Sequence, residues 1–97
     1  MPSYSKVIEL PGKSAQEIYS KISEGIERFL TKIPVGEHQV HREPQNFTVK
    51  LESKMANLNL VCVEGGVSMS GSLSFMALPF KSKLDEGIGR WIQKTFG

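Results

Sequence analysis

The stretch GGVSMSGSLSFMALPF, residues 65–80, alternates over nine positions between serine and a bulkier residue or glycine. Successive side chains of a β-strand point to opposite faces, so this alternation predicts a strand with an apolar face and a serine face. An antiparallel sheet covered by helices on one side suits such a strand. The serines are therefore expected to face water. The alternative is that they form a subunit or ligand surface with Thr48 and Lys50.

The same stretch continues into an almost wholly apolar run, Phe75-Met76-Ala77-Leu78-Pro79-Phe80, which we call the apolar lip. A loop of this composition is not expected to stay exposed on a monomer in water. The simpler expectation is that it packs beneath the following helix and seals the core. The alternative is that Met76, Leu78 and Phe80 form a surface that contacts a hydrophobic granule, a lipid or a second subunit.

An amphipathic helix is predicted over residues 14–33. Ser14 and Glu17 have the spacing of a capping box, and apolar residues recur behind them at helical spacing. Pro34 and Gly36 are expected to end this helix. Gly25, inside it, is expected to allow close packing against a sheet.

The remaining elements are read from period-two and period-3.6 patterns. Strands are predicted over residues 4–10 and 37–42, from Phe47 to Glu52, and through the Leu58-Leu60-Cys62 face to the turn at Glu64. A last helix is predicted from Pro79, as its first position, to Phe96. The order β-α-β-β-β-β-α predicts an α+β fold, a curved antiparallel sheet with two helices packed on one face.

The composition is that of an ordinary globular domain. The chain has 97 residues, 39% of them hydrophobic and 23% charged, and it is expected to form a single domain, 1–97. Its net charge is +2, and its twelve Lys and Arg residues are scattered without a block of like charge, so nucleic-acid binding is not expected. The sequence shows neither a signal peptide nor an apolar run long enough to span a membrane, and it has one cysteine, which together predict a cytoplasmic location.

No catalytic or metal-binding constellation is predicted. His38 and His41 lie three apart in a predicted strand, so they are expected to point to opposite faces. Cys62 lies in an apolar run and is read as a small buried hydrophobe. Asp85 and Glu86 are adjacent on a helix and are expected to be solvated. We therefore expect no enzyme activity, no metal and no cofactor.

The chain resembles the small family of polyhydroxyalkanoic acid system proteins, also called granule-region proteins. The similar segments are KSAQEIYSKISEGIERFL (13–30), NFTVKLESKMANLNLVCVEGGVSMSG (46–71) and LSFMALPFKSKLDEGIGRWIQKTF (73–96). That family resembles a small version of the helix-grip fold of START-like lipid-transfer and polyketide-cyclase domains. The resemblance implies a non-enzymatic accessory or binding protein associated with polyhydroxyalkanoate storage granules.

Three functions stay open at this point. The first is a binding protein that acts through its sheet, the apolar lip or a homodimer surface, with a polyester granule as partner. The second is a helix-grip domain that binds a small apolar ligand between the last helix and the sheet. That pocket would be lined by Met69, Leu73, Leu84, Ile88 and Trp91. The third, an enzyme built on such a pocket, ranks last because no acid, base or nucleophile set can be assembled.

Overall fold

A computed structural model describes residues 3–32 and 37–96 and confirms the α+β class and the order β-α-β-β-β-β-α. The elements are β1 (Ser3–Glu9), α1 (Ala15–Leu30), β2 (His38–Glu43), β3 (Thr48–Ser53), β4 (Ala56–Val63), β5 (Gly66–Leu73) and α2 (Lys81–Phe96). The predicted end of the first helix, at Ile33 to Gly36, lies outside the described residues.

The strands form one five-stranded antiparallel sheet in the order β1-β5-β4-β3-β2. Strands β2 to β5 are each paired with the next strand along the chain as hairpins, and β1 joins the sheet beside β5. The register aligns residues of all five strands in rows across the sheet. One such row consists of Ser5, Ser70, Asn59, Lys50 and His41.

This row belongs to the polar face of the sheet. Ser70, Asn59 and Lys50 are exposed there, and Ser68 and Ser72 are partly exposed. The expectation that these serines face solvent is thus confirmed for the isolated chain. Ser74 is different, because its Oγ atom is buried and has no hydrogen-bond partner within the described residues.

The opposite face of the sheet is apolar and carries both helices. Ser14 caps α1, its Oγ accepting a hydrogen bond from the Glu17 amide at 3.1 Å. The stripe behind this cap is buried against β3, β4 and β5. The strand side chains buried in the same core are Val49, Leu51, Leu58, Leu60, Cys62, Val67, Met69 and Leu73.

Helix α2 lies on the same face, at the β1 side of the sheet. The Tyr4 hydroxyl donates a hydrogen bond to Asp85 Oδ1 at 2.9 Å, and Lys6 Nζ lies 3.1 Å from the same oxygen. Lys6, followed by Tyr4, holds the pKa of the Asp85 carboxyl below its usual range, while burial and Asp85 raise the pKa of Tyr4. Asp85 therefore connects the helix to the edge strand instead of being merely solvated.

The structure corrects two details of the sequence interpretation. Pro79 is not the first residue of the last helix, because Phe75–Phe80 form a 3-10 helix and α2 starts at Lys81. Phe47 does not lie in β3: it follows the 3-10 turn with a φ of 49° and packs 6.0 Å from Tyr19. Strand β4 lies in the middle of the sheet, between β5 and β3, and Val61 and Val63 are exposed on its outer face.

Candidate functional site

The apolar lip is exposed, which overturns the simpler expectation that it packs beneath the last helix. Phe75 is 73% exposed and Met76 70%, while Leu78 and Phe80 are each 39% exposed. Ala77 is the one residue of this segment that is buried in the core. Met76, Leu78 and Phe80, predicted as the alternative surface contact, are thus accessible to a partner.

The lip is nevertheless a fixed part of the fold. The Ser74 amide donates a hydrogen bond to the Met55 carbonyl at 2.9 Å, and the Ala77 amide donates to the Ser74 carbonyl at 3.0 Å. These bonds attach the start of the lip to the turn between β3 and β4. Its apolar side chains are therefore held in solvent by ordered backbone.

Exposed lysines flank the lip. Lys81 and Lys83 follow it in the first turn of α2, and Lys54 precedes Met55 in the adjoining turn. None of the three has a carboxylate within ion-pair distance among the described residues. Two of them oppose the α2 dipole, since cations are unfavourable near a helix N-terminus. The lip thus combines apolar side chains with unpaired positive charge.

The residues predicted to line a ligand pocket lie mostly in the core. Met69, Leu73, Leu84 and Ile88 are buried side chains of the continuous core cluster. Trp91 is partly buried and lines a groove between α1 and α2, where it meets α1 instead of the sheet. The structure therefore does not bring these five residues together around one opening.

The groove between the helices has an aromatic wall. The rings of Phe29 and Trp91 stack with centroids 4.6 Å apart and an interplanar angle of 9°. Gly25 leaves room for the Trp91 ring, because a Cβ atom at position 25 would lie only 3.1 Å from Trp91 Nε1. Gly25 thus permits close packing against α2, and not against the sheet as the sequence suggested. The groove has a volume of about 440 Å³.

Positive charge lines this groove. Arg28 lies in the last turn of α1 and Lys32 follows the end of that helix, whereas Arg90 and Lys94 come from α2. Within the described residues, none of the four has an ion-pair partner, and no Asp or Glu lines the groove. Glu24 lines a neighbouring depression that shares Arg28. Charges that are scattered along the chain are therefore concentrated by the fold.

Sequence reasoning missed this cluster, although a signal for it exists. Arg28 and Lys32 are four residues apart, and so are Arg90 and Lys94. Like charges at this spacing share one side of a helix and destabilise it by about 0.2–0.5 kcal/mol per pair. Two such pairs within the predicted helices, which must pack together, indicate a shared basic surface, although Lys32 follows the observed end of α1.

Cys62, His38 and His41 form no catalytic or metal site within the described residues. Cys62 is buried, and burial raises the pKa of its thiol to about 11, so it is not a ready nucleophile. His41 Nε2 lies 3.7 Å from Glu52 Oε2 on the polar face of the sheet, whereas His38 lies three residues before it in the same strand. In residues 3–32 and 37–96, no three His, Cys, Asp or Glu side chains are grouped to hold a metal ion.

Comparisons with protein-family models, with curated proteins and with solved structures found no match to this chain. In the part of the chain that the structure describes, neither helix has the length and apolarity of a membrane span.

Proposed function

We propose that the chain is a small non-enzymatic binding protein that attaches to the surface of polyhydroxyalkanoate granules through the apolar lip. The observation that supports this proposal is the exposure of Phe75, Met76, Leu78 and Phe80 on a six-residue turn that the backbone holds in place. The granule as partner comes from the family resemblance of residues 13–30 and 46–96.

The lip suits an apolar surface for a physical reason. Transfer of a fully exposed Leu, Met or Phe side chain out of water is favourable by about 1.5–3 kcal/mol. Four partly exposed side chains on one turn provide several kcal/mol together, without any change in the rest of the fold. Because the lip is already ordered, binding costs little conformational entropy.

The flanking lysines suit the same contact. Lys54, Lys81 and Lys83 are exposed without ion-pair partners within the described residues, so they are available to any anionic groups on the surface of the particle. Each lysine near an anionic surface contributes about 1 kcal/mol at moderate salt. The lip would therefore insert its apolar side chains while the lysines stay at the interface with water.

Flotation of the purified protein tests this proposal. The protein is mixed with native polyester granules and, separately, with phospholipid vesicles. The Met76→Glu, Leu78→Glu variant places two charges in the lip. The matched control, Val7→Glu, Val63→Glu, places the same charges at two exposed valines, 72% and 47% accessible, on the polar face of the sheet.

We expect the parent and the control variant to float with granules and the lip variant to stay in solution. Equal flotation with granules and vesicles would show a general apolar contact and would contradict granule selectivity. Loss of flotation in both variants would assign the effect to net charge and not to the lip. If the parent floats with neither particle, the surface-binding function is wrong.

A further inference from the structure

We infer that the basic groove between α1 and α2 binds a small organic phosphate that carries at least two phosphoryl groups and an aromatic ring, such as a nucleoside di- or triphosphate. This site is separate from the apolar lip. The lip precedes the first residue of α2, whereas the groove is lined by the second half of that helix and the end of α1.

The charge of the groove determines the charge of the ligand. Arg28, Lys32, Arg90 and Lys94 line one volume of about 440 Å³. Within the described residues none of the four forms an ion pair, and no carboxylate lines the groove. A single phosphate or carboxylate would leave most of this charge unpaired. A di- or triphosphate supplies two to four negative charges in a small space and suits the planar guanidinium groups of the two arginines.

Helix geometry alone does not account for the cluster. Arg28 and Lys94 lie in the last turns of their helices, where the helix dipole favours cations. Arg90 lies earlier in α2, and its i,i+4 neighbour is the like-charged Lys94. Glu86 lies four residues before Arg90, but the described residues include no ion pair between them, which leaves Arg90 available to the groove.

The aromatic wall favours a ligand with a ring. Trp91 is partly buried, lines the groove together with Phe29 and is stacked on the ring of that residue. An aromatic group of a ligand gains about 0.5–1.5 kcal/mol from contact with such a ring, beyond the area it buries. The volume lies within the range of small-molecule sites. A ring beside Trp91 and phosphates among the four cations account for both parts of the groove.

Titration of the purified protein with ATP, ADP, AMP and pyrophosphate, without divalent cations, tests the inference. Trp91 is the only tryptophan of the chain, so its fluorescence reports on the groove directly. The variants Arg90→Gln, Lys94→Gln and Arg28→Gln, Lys32→Gln each remove two charges from one wall. The control, Lys81→Gln, Lys83→Gln, removes two charges from the other end of α2. Circular dichroism confirms that every variant is folded.

We expect saturable fluorescence changes with ATP and ADP, and weaker binding of AMP and pyrophosphate. Each groove variant should raise the Kd at least about tenfold, since charge-assisted hydrogen bonds are lost, and the control should change it less than about twofold.

Absence of a saturable change with ATP would overturn the inference. So would equal losses in groove and control variants, which would indicate diffuse attraction. Pyrophosphate binding as tight as that of ADP would exclude a role for the ring, and tighter binding of a single-stranded oligonucleotide would assign the groove to nucleic acid.

Discussion

Gly71 is the residue at which the sheet leaves no room for a side chain. It lies in β5 between Tyr4 of β1 and Leu58 of β4. An ideal Cβ atom there would lie 1.8 Å from the Asn57 carbonyl oxygen, a backbone atom that cannot turn away. Glycine at this position therefore lets the two neighbouring strands approach β5.

Gly71→Ala should consequently destabilise the fold by about 3 kcal/mol or more, since the strands must separate to admit the methyl group. Urea denaturation measures the change. Gly89→Ala is the matched control: a Cβ atom there meets nothing within 4 Å, and α2 should gain about 0.5–1 kcal/mol. A Gly71→Ala protein as stable as the parent would show that the strand spacing is not limited by this residue.

The alternating pattern of residues 65–80 predicts that Gly71 lies in a strand, but it does not show why glycine is needed there. Alternation placed Gly71 on the apolar face correctly, with Met69 and Leu73. The clash with Asn57 depends on the register between β4 and β5, and a single sequence does not contain that register. Burial of the Ser74 hydroxyl was not predicted for a similar reason. The alternation of serine with other residues continues through Ser74, whereas the chain leaves β5 before this residue and enters the 3-10 helix after it.

At the scale of elements, one carboxylate joins α2 to the edge strand. Asp85 accepts hydrogen bonds from the Tyr4 hydroxyl and from Lys6. Its pKa in the folded protein is lowered, first by Lys6 and then by Tyr4. A carboxylate with a lowered pKa stabilises the fold above its unfolded pKa, near 4, and this contribution is lost as the pH falls through the folded pKa.

Asp85→Asn should therefore lower the free energy of unfolding at pH 7 by up to about 1 kcal/mol, a modest value because the pair is partly exposed. The difference from the parent should shrink as the pH falls from about 4 through the lowered pKa of the folded carboxyl, because the unfolded chain binds the proton more tightly than the folded protein does. Thermal unfolding from pH 3 to pH 7 measures both. The control, Glu86→Gln, changes an exposed neighbour without an ion pair in the described residues and should have little effect at either pH. A constant Asp85→Asn difference across this range would contradict the assignment.

Periodicity predicted the elements because each helix and strand must present an apolar face to a common core. The stripe of α1, from Ile18 to Leu30, and the faces of β4 and β5 are buried as expected. Periodicity says nothing about a segment between two elements. The apolar lip was expected in the core on composition alone, and its exposure depends on where Ala77 anchors it.

At the scale of the whole molecule, the groove could not be found from composition. A net charge of +2 and cations spread along the chain argue against a charged site. The fold brings Arg28 and Arg90 to one groove only because both helices lie on the same face of the sheet. That relation is tertiary. Its only trace in the sequence was the four-residue spacing of Arg28 with Lys32 and of Arg90 with Lys94.

The strand order also predicts how stability is distributed. Strands β4 and β5 are paired on both sides and are buried under the helices, whereas β2 has one neighbour and an edge of charged and polar residues. Hydrogen exchange should therefore be slowest for the amides of β4 and β5 and faster for those of β2. Protection of β2 equal to that of β4 would indicate that another surface covers this edge.

The pairing of β1 with β5 has a consequence for synthesis of the protein. Residues 3–9 cannot pair in the sheet until residues 66–73 have been synthesised, and these leave the ribosome a few seconds later at ordinary rates of translation. Until then α1 carries Ile18, Ile22 and Ile26 on a face with no finished sheet to cover it. Contacts between distant segments also slow folding. The nascent chain consequently exposes this apolar face to water during the interval, and a pause in translation before β5 would prolong the exposure.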